Sequence, residues 1–242
     1  MSAKFLQRLA SPFQEFGFVA GSLYLTDRAL RSMSPKLGLQ VYNFMVQPIG
    51  GKPLLPANLS KNLTVQSILE GHPDVAQMPA REEIKAQRFA QGANCLGAYR
   101  KGELIGYMWY ARGSYREDEV RCDYLLAEPS TSVFDFDFYV MPKYRIGLGF
   151  VGLWHVANEV LSGQGVRYTF SRVTIFNVAS RRAHDRLGWK RVGSALFLKA
   201  WGVEFMLATL APYVGATFGA QQRIALKLRP DVLARQTLAD SR

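Results

Sequence analysis

The stretch SVFDFDFYVMPKYRIGLGFVGLW, residues 132–154, constrains the fold most, because its hydrophobic period changes at Pro142. Before the proline, aromatic and polar residues alternate, which predicts a β-strand over 132–142. One face of it should carry Phe134, Phe136 and Phe138, and the other Asp135, Asp137 and Tyr139. After the proline, apolar residues recur at helical spacing and predict an amphipathic helix that ends at Gly163. The chain therefore passes from a strand into a helix.

The turn at this junction is basic and contains Gly147 and Gly149. Glycines let a ligand approach the backbone closely, and the N–H groups at a helix start carry partial positive charge. Such a turn suits a phosphate or pyrophosphate, and Lys143 and Arg145 add positive charge. A tight structural turn would need the same glycines, so both interpretations stay open at this point.

A second strand-to-helix junction lies about 30 residues further on, at NVASRRAHDRLGW, residues 177–189. Residues 166–177 are typical of a strand, and Ala179, Ala183 and Leu187 recur every four residues, as on one face of a helix. Asn177 is a suitable N-cap and Gly188 a suitable helix end. The helix is strongly basic and carries His184.

The remaining chain predicts further strands and helices. We expect strands over 39–49 and in RVGSALFLKAWGVEFMLATL, a β-hairpin turning at Lys101-Gly102, and helices in NLTVQSILEG and over 79–92. Residues 203–220 are interpreted as a strand followed by a loop. The predicted fold class is α/β with a mixed sheet. The predicted organisation is a helical N-terminal extension at 1–38, one domain at 39–220 and a basic tail at 221–242.

Composition limits the function classes. The net charge of +11 favours an acidic partner, such as nucleotide phosphates, an acidic carrier protein, anionic lipid or nucleic acid. Base-stacking motifs and Lys/Arg-rich runs are absent from the sequence, so we expect no nucleic-acid partner. Cys95 and Cys122 form no metal-binding or disulfide pattern, which predicts no metal site and a reducing cytoplasm. His72 and His155 are expected at the surface. The N-terminus does not resemble a signal peptide, and peripheral membrane contact remains an alternative role for the aromatic flanks.

The two junctions together resemble the GNAT superfamily of N-acyltransferases over about residues 93–210. The first matches a V-x-P-x-x-R pattern before a glycine turn, through Val140, Pro142 and Arg145. The second matches an Asn-to-Gly-aromatic pattern, here Asn177, Ser180, His184, Gly188 and Trp189. The resemblance implies a mostly antiparallel twisted sheet of about seven strands, with helices on both faces and two central strands that splay apart. It also implies acetyl-CoA or a longer acyl-CoA as cosubstrate.

The same resemblance implies a set of cosubstrate-binding residues: Val140, Arg145, Ile146, Gly147, Leu148, Gly149, Phe150, Asn177 and Ser180. The family's turn reads R-x-x-G-x-G, whereas Gly147 and Gly149 follow Arg145 by two and four positions. Either the turn is one residue shorter or Tyr144 takes the first position. Arg181, Arg182 and Arg186 either contact CoA phosphates or form a solvated face.

The implied chemistry is direct attack of an amine on the thioester. His184 stands where many members place a tyrosine that protonates the departing thiolate, and a partly exposed surface histidine is the alternative. Asp135 and Asp137 are the candidate bases for the amine, and one of them would have a raised pKa if both shared a site. The acceptor is a small-molecule or peptide amine. Two alternatives stay open: an acyl-carrier-protein-dependent long-chain acyltransferase, and a catalytically inactive GNAT-like module that binds acyl-CoA.

Overall fold

The computed structural model describes residues 3–51, 53–147, 149–231 and 233. They form six α-helices and twelve strands in the order α1 Ala3–Phe16, α2 Phe18–Met33, β1 Leu37–Pro48, α3 Ala57–Ser60, β2 Leu63–Ser67, α4 Glu82–Ala90, β3 Asn94–Arg100, β4 Glu103–Arg112, β5 Ser114–Arg116, β6 Cys122–Leu126, β7 Ser132–Val140, α5 Gly149–Gly163, β8 Tyr168–Thr174, α6 Val178–Arg186, β9 Lys190–Ala200, β10 Val203–Ala208, β11 Val214–Phe218 and β12 Ile224–Leu228. Short 3-10 helices lie at Pro73–Gln77 and Pro142–Tyr144.

The chain divides into two compact units. The first consists of Met1–Val46, Glu117–Tyr124 and Arg172–Arg242, and the second of Gln47–Arg116 and Leu125–Ser171. Each unit therefore draws on segments that are distant in sequence, which composition and linker patterns do not reveal.

The first unit contains an antiparallel sheet in the strand order β11-β10-β9-β1. Its two N-terminal helices turn back on each other at Gly17, whose φ of 81° is in the left-handed region. Gly21 permits their close approach, because a Cβ there would lie 3.0 Å from the Phe13 ring. The helices contact the turn after β8 through aromatic packing of Phe16 and Tyr24 against Phe176.

The second unit contains strands in the order β8-β7-β4-β3-β2, of which β7 and β8 are parallel and the others antiparallel. Helix α5 connects the parallel pair, as a crossover must. One face of this sheet packs Ile105 and Val140 against Leu153 of α5. The other face packs Tyr107 and Trp109 together with Phe89 of α4. The predicted mixed α/β class, with helices on both faces of a sheet, is therefore confirmed.

Several element predictions are also confirmed. The hairpin turns at Lys101 and Gly102, which have φ values of 52° and 79°. The predicted helix over 79–92 is α4, which begins at Glu82 and is followed by Gly92 with a φ of 76°. The strand predicted over 132–142 is β7, and the helix after it begins at Gly149.

Other predictions are wrong. The segment NLTVQSILEG is not helical but contains β2, because Leu63–Ser67 pairs with β3 and that pairing overrides a weak local preference. The stretch expected as a loop after β10 contains β11, which pairs with β10. The segment 221–242 contains β12. In the part of the chain that the structure describes, no helix has the length and apolar character needed to cross a membrane.

Candidate functional site

Strands β7 and β8 pair in parallel within the second unit. Ser132–Asp135 lies opposite Tyr168–Ser171, and β7 continues to Val140. The other edge of β7 stays paired with β4 as far as Val140, which lies opposite Gly106. The last part of β7 is thus held by β4 up to the residue before Met141 and the turn.

The turn after β7 folds back on the strand. Arg145 donates a hydrogen bond from Nε to the carbonyl oxygen of Val140 at 3.0 Å, and its guanidinium lies 5.1 Å from the centre of the Tyr139 ring. Lys143 does not add free charge, because its ammonium pairs with Glu103 at 2.7 Å. The hydroxyl of Tyr144 donates to the same carboxylate.

The two glycines of the turn differ in what they require. Gly147 has a φ of 102°, and the position of a Cβ there is open. At Gly149 a Cβ would overlap the carbonyl oxygen of Tyr144, so the first residue of α5 cannot carry a side chain. Tyr144 and Gly149 are five positions apart, which is also the spacing between the first and last residues of R-x-x-G-x-G. The contact therefore favours the alternative in which Tyr144 takes the first position of the motif.

The other predicted turn residues point in different directions. Ile146 is 95% exposed, whereas the Phe150 ring packs 5.0 Å from Phe138 in the core. Leu148 lies outside the described residues. The N–H groups in the first turn of a helix have no acceptor within that helix, and for this reason helix starts commonly bind anions.

Asp135 lies opposite Ser171 in the β7–β8 pairing and is 2% exposed. Its carboxylate accepts hydrogen bonds from Ser171 Oγ at 3.0 Å and Thr169 Oγ1 at 3.2 Å. Burial raises the pKa of Asp135 to about 7, against the effect of these hydrogen bonds. A carboxyl group that titrates near neutral pH is suited to proton transfer.

Asp137 is in a different environment. It pairs with Arg88 of α4 at 2.5 Å, and the Arg88 guanidinium also lies over the rings of Trp109 and Phe136. The expectation that Asp135 and Asp137 share a face and a site is wrong. Phe136 forms a β-bulge, since Asp135 lies opposite Tyr110 and Asp137 opposite the adjacent Trp109.

In the first unit, the residues of the second motif form one stripe of α6. Asn177 accepts a hydrogen bond from the backbone N–H of Ser180 at 2.9 Å and caps the helix, as predicted. The Nδ1 of His184 lies 2.7 Å from the carbonyl oxygen of Ser180, so Nδ1 carries the proton. The edge of the His184 ring contacts Trp189 at a centroid distance of 4.8 Å.

His184 is buried, with 5% exposure, and so is not the partly exposed surface residue of the alternative interpretation. Burial lowers the pKa of His184 below its ordinary value, although the bond to Ser180 opposes this. The histidine is therefore mainly neutral at neutral pH. His155, expected at the surface, is also buried, and its Nε2 lies 3.5 Å from Glu159.

A cavity of about 390 Å³ lies beside α6 within the first unit. Its lining residues come from α1, β1, β8, α6 and β9, and they are Glu15, Asn43, Met45, Val173, Val178, Arg181, Arg182, His184, Asp185 and Arg191. The sequence does not predict this cavity, because its walls come from five elements that are distant in the chain. Arg88, Thr169 and Ser171 were missed for the same reason. No cluster of potential metal ligands occurs among the described residues.

No family model and no curated protein match the sequence. The chain is similar to a solved tandem GNAT protein from the clavulanic acid biosynthesis pathway, with a TM-score of 0.44 and 14% identity over 67% of this chain and 53% of that one. It is also similar to a GCN5-related N-acetyltransferase from Sphaerobacter thermophilus, with a TM-score of 0.45 and 15% identity over 74% and 56%.

A third similar structure is an aminoglycoside N-acetyltransferase in complex with CoA, with a TM-score of 0.38 and 20% identity over 52% of this chain and 91% of that one. The chain spans little more than half the length of the first two proteins. The proposed activity therefore rests on the residues of this chain.

Proposed function

We propose that this chain is a GNAT-type N-acyltransferase that moves an acyl group from a CoA thioester to an amine by direct attack. One observation carries the proposal: β7 leads through a glycine turn directly into the start of α5. Glycines let a ligand approach the backbone closely, and the start of a helix is a favourable place for a pyrophosphate.

The residues of the turn fit such a cosubstrate. Gly147 has a left-handed backbone conformation, and no atom lies within 4 Å of the position of a Cβ there. A ligand can therefore approach this backbone closely. Acyl-CoA supplies the activated thioester. We assign its binding to the backbone of Val140, Ile146, Gly147 and Gly149, with Arg145 as a positive side chain nearby. Leu148, Phe150, Asn177 and Ser180 remain predicted cosubstrate-binding residues.

Asp135 is the proposed proton acceptor for the attacking amine, because its pKa of about 7 keeps both protonation states available at neutral pH. Thr169 and Ser171 hold its carboxylate and act as positioning residues. Asp137 is the weaker candidate, since its charge is engaged by Arg88. His184 is proposed to protonate the departing thiolate.

The test is calorimetric titration with acetyl-CoA, a medium-chain acyl-CoA, a long-chain acyl-CoA and free CoA. We expect micromolar affinity, about −8 kcal/mol, for at least one of them. The ranking by chain length identifies the acyl donor. The Gly147→Glu variant should lose this binding, because it places a negative charge beside the pyrophosphate.

Gly165→Glu is the matched control. Gly165 also has a positive φ, 78°, and open space at the Cβ position, but it follows the other end of α5. Equal loss in both variants would indicate backbone strain rather than a cofactor site. Binding without turnover over a panel of small-molecule and peptide amines would identify the chain as a non-catalytic acyl-CoA-binding module.

The alternative donor is an acyl group on an acidic carrier protein, which the net charge of +11 favours. If acylated carrier protein supports turnover and acyl-CoA does not, the donor assignment changes while the acyltransferase assignment stands. The two buried free cysteines, Cys95 and Cys122, agree with the proposed cytoplasmic location.

A further inference from the structure

The cavity beside α6 is lined by five charged side chains: Glu15, Arg181, Arg182, Asp185 and Arg191. Within the described part of the chain, none of these five side chains forms an ion pair or a hydrogen bond. Surface charges of opposite sign that surround one cavity commonly form ion pairs with each other. Here the carboxylates and the guanidinium groups line the same cavity and form no ion pair among themselves.

The cavity is lined by one face of α6, and this face differs from the one that carries the predicted motif residues. Val178, Arg181, Arg182 and Asp185 follow helical spacing and line the cavity together, whereas Asn177, Ser180 and His184 form the first stripe. His184 contributes to both, at the border between them.

Arg181 gives the strongest indication of a ligand-binding site. Its Nε is buried and has no hydrogen-bond partner in the described structure. A buried guanidinium donor without an acceptor is costly, and an oxyacid group bound side-on to Nε and a terminal nitrogen would satisfy it. Arg182 and Arg191 line the same cavity and add positive charge.

A simple anion would leave Glu15 and Asp185 as unfavourable neighbours. A ligand that also carries a protonated amine uses all five charges. We therefore infer that this cavity binds a small zwitterion with an oxyacid group, phosphate or carboxylate, held by the arginines, and an ammonium group held by Glu15 and Asp185. The volume of about 390 Å³ is ample for a molecule of this kind.

The experiment is calorimetric titration of the full chain at constant ionic strength with phosphoethanolamine, β-alanine, ethyl phosphate and ethanolamine. It needs no acyl donor, so it is independent of the proposed activity. We expect phosphoethanolamine or β-alanine to bind, and the tighter of the two identifies the oxyacid. Ethyl phosphate and ethanolamine should bind at least about tenfold more weakly, since each lacks one charge.

Variants locate the site. Arg181→Gln and Arg191→Gln should each weaken zwitterion binding at least about tenfold. Glu15→Gln should remove the preference for phosphoethanolamine over ethyl phosphate without weakening ethyl phosphate. Arg186→Gln, on the same helix but outside the cavity lining, should bind as the unmodified chain does. Thermal melting of each variant checks that it folds.

Three results would overturn the inference. The first is no saturable binding of either zwitterion. The second is equal affinity for ethyl phosphate and phosphoethanolamine, which would define a plain anion site. The third is zwitterion binding that is unchanged in both Arg181→Gln and Arg191→Gln, or zwitterion binding that free CoA competes away as effectively as the zwitterion itself. Either result would assign the ligand to another site.

Discussion

Asp135 and Asp137, two positions apart in β7, lie on opposite faces of the sheet. The bulge at Phe136 shifts the register, so that Asp135 pairs with Tyr110 and Asp137 with Trp109. Asp135 turns to the hydroxyl groups of β8, and Asp137 turns to Arg88 of α4. One bulge thus gives two neighbouring carboxylates different chemistry: one is buried among neutral donors and the other is ion-paired.

The first prediction concerns the pH dependence of stability. Burial raises the Asp135 pKa from 3.8 to about 7, so between these values the native chain binds more protons than the unfolded chain. The free energy of unfolding must then fall as pH rises through this window. Asp135→Asn removes the titration. Its stability relative to the unmodified chain should rise by on the order of 4 kcal/mol between pH 4 and pH 8.

Urea denaturation of both proteins across this range measures the effect. The control is Glu70→Gln, a substitution of an exposed residue. Its free energy of unfolding should differ from that of the unmodified chain by the same amount at every pH. A constant difference between Asp135→Asn and the unmodified chain from pH 4 to pH 8 would show that Asp135 has an ordinary pKa.

The second prediction concerns the Arg88–Asp137 pair, in which the two side chains are 9% and 24% exposed. Removing one partner takes this ion pair away from a largely buried charge. Arg88→Met and Asp137→Asn should each lower the free energy of unfolding by about 3 kcal/mol. The loss in free energy of unfolding for the double variant should be smaller than the sum of the two single losses, by at least about 1 kcal/mol.

The exposed pair Lys143–Glu103 in the same unit provides the comparison. Its double-mutant cycle should show no measurable coupling, because solvent screens both groups. Additive losses for Arg88 and Asp137 would mean that the ion pair contributes nothing beyond its separate packing.

Much of the fold could be predicted from local sequence patterns. The change of period at Pro142, the turn at Lys101-Gly102 and the cap at Asn177 each depend on a few neighbouring residues, and the structure contains all three. The sequence resemblance also located the glycine turn. These features are encoded by local backbone preferences, which single sequences express well.

What could not be predicted depends on partners far away in the chain. Strict alternation placed Asp135 and Asp137 together, but a bulge is set by pairing with β4, which no local pattern shows. The burial of His184 and His155 depends on tertiary packing around amphipathic helices. Strand β2 forms because β3 offers an edge, not because its own residues demand it.

The third prediction tests the start of α5. Gly149→Ala places a Cβ against the Tyr144 carbonyl oxygen, a backbone atom that cannot move aside alone. We expect a loss of at least about 2 kcal/mol in the free energy of unfolding, together with weaker acyl-CoA binding. Gly163→Ala, at the other end of the same helix, meets no atom within 4 Å and should be neutral or stabilising by up to about 1 kcal/mol. Similar stability of the two variants would show that the turn can rearrange.

The fourth prediction concerns the protonation of His184. Long-range ¹H–¹⁵N correlation spectra should show a neutral ring with the proton on Nδ1, because that nitrogen faces the carbonyl oxygen of Ser180. The ring should titrate below its ordinary value of 6.5. A ring protonated at neutral pH, or one with its proton on Nε2, would contradict this arrangement.

The fifth prediction combines the two shifted groups in a pH–rate profile. Acyl transfer by the proposed roles needs Asp135 ionised and His184 protonated. Because the Asp135 pKa is raised and the His184 pKa is lowered, the opposite states dominate at pH values between the two pKa values. The rate should therefore rise with pH on the acid side and fall above about pH 7.

His184→Ala should lower turnover by about 100-fold, leave acyl-CoA affinity unchanged and abolish the alkaline fall. His72→Ala is the control and should keep the full profile. If His184→Ala retained both the rate and the alkaline fall, the proton for the thiolate would have to come from another group.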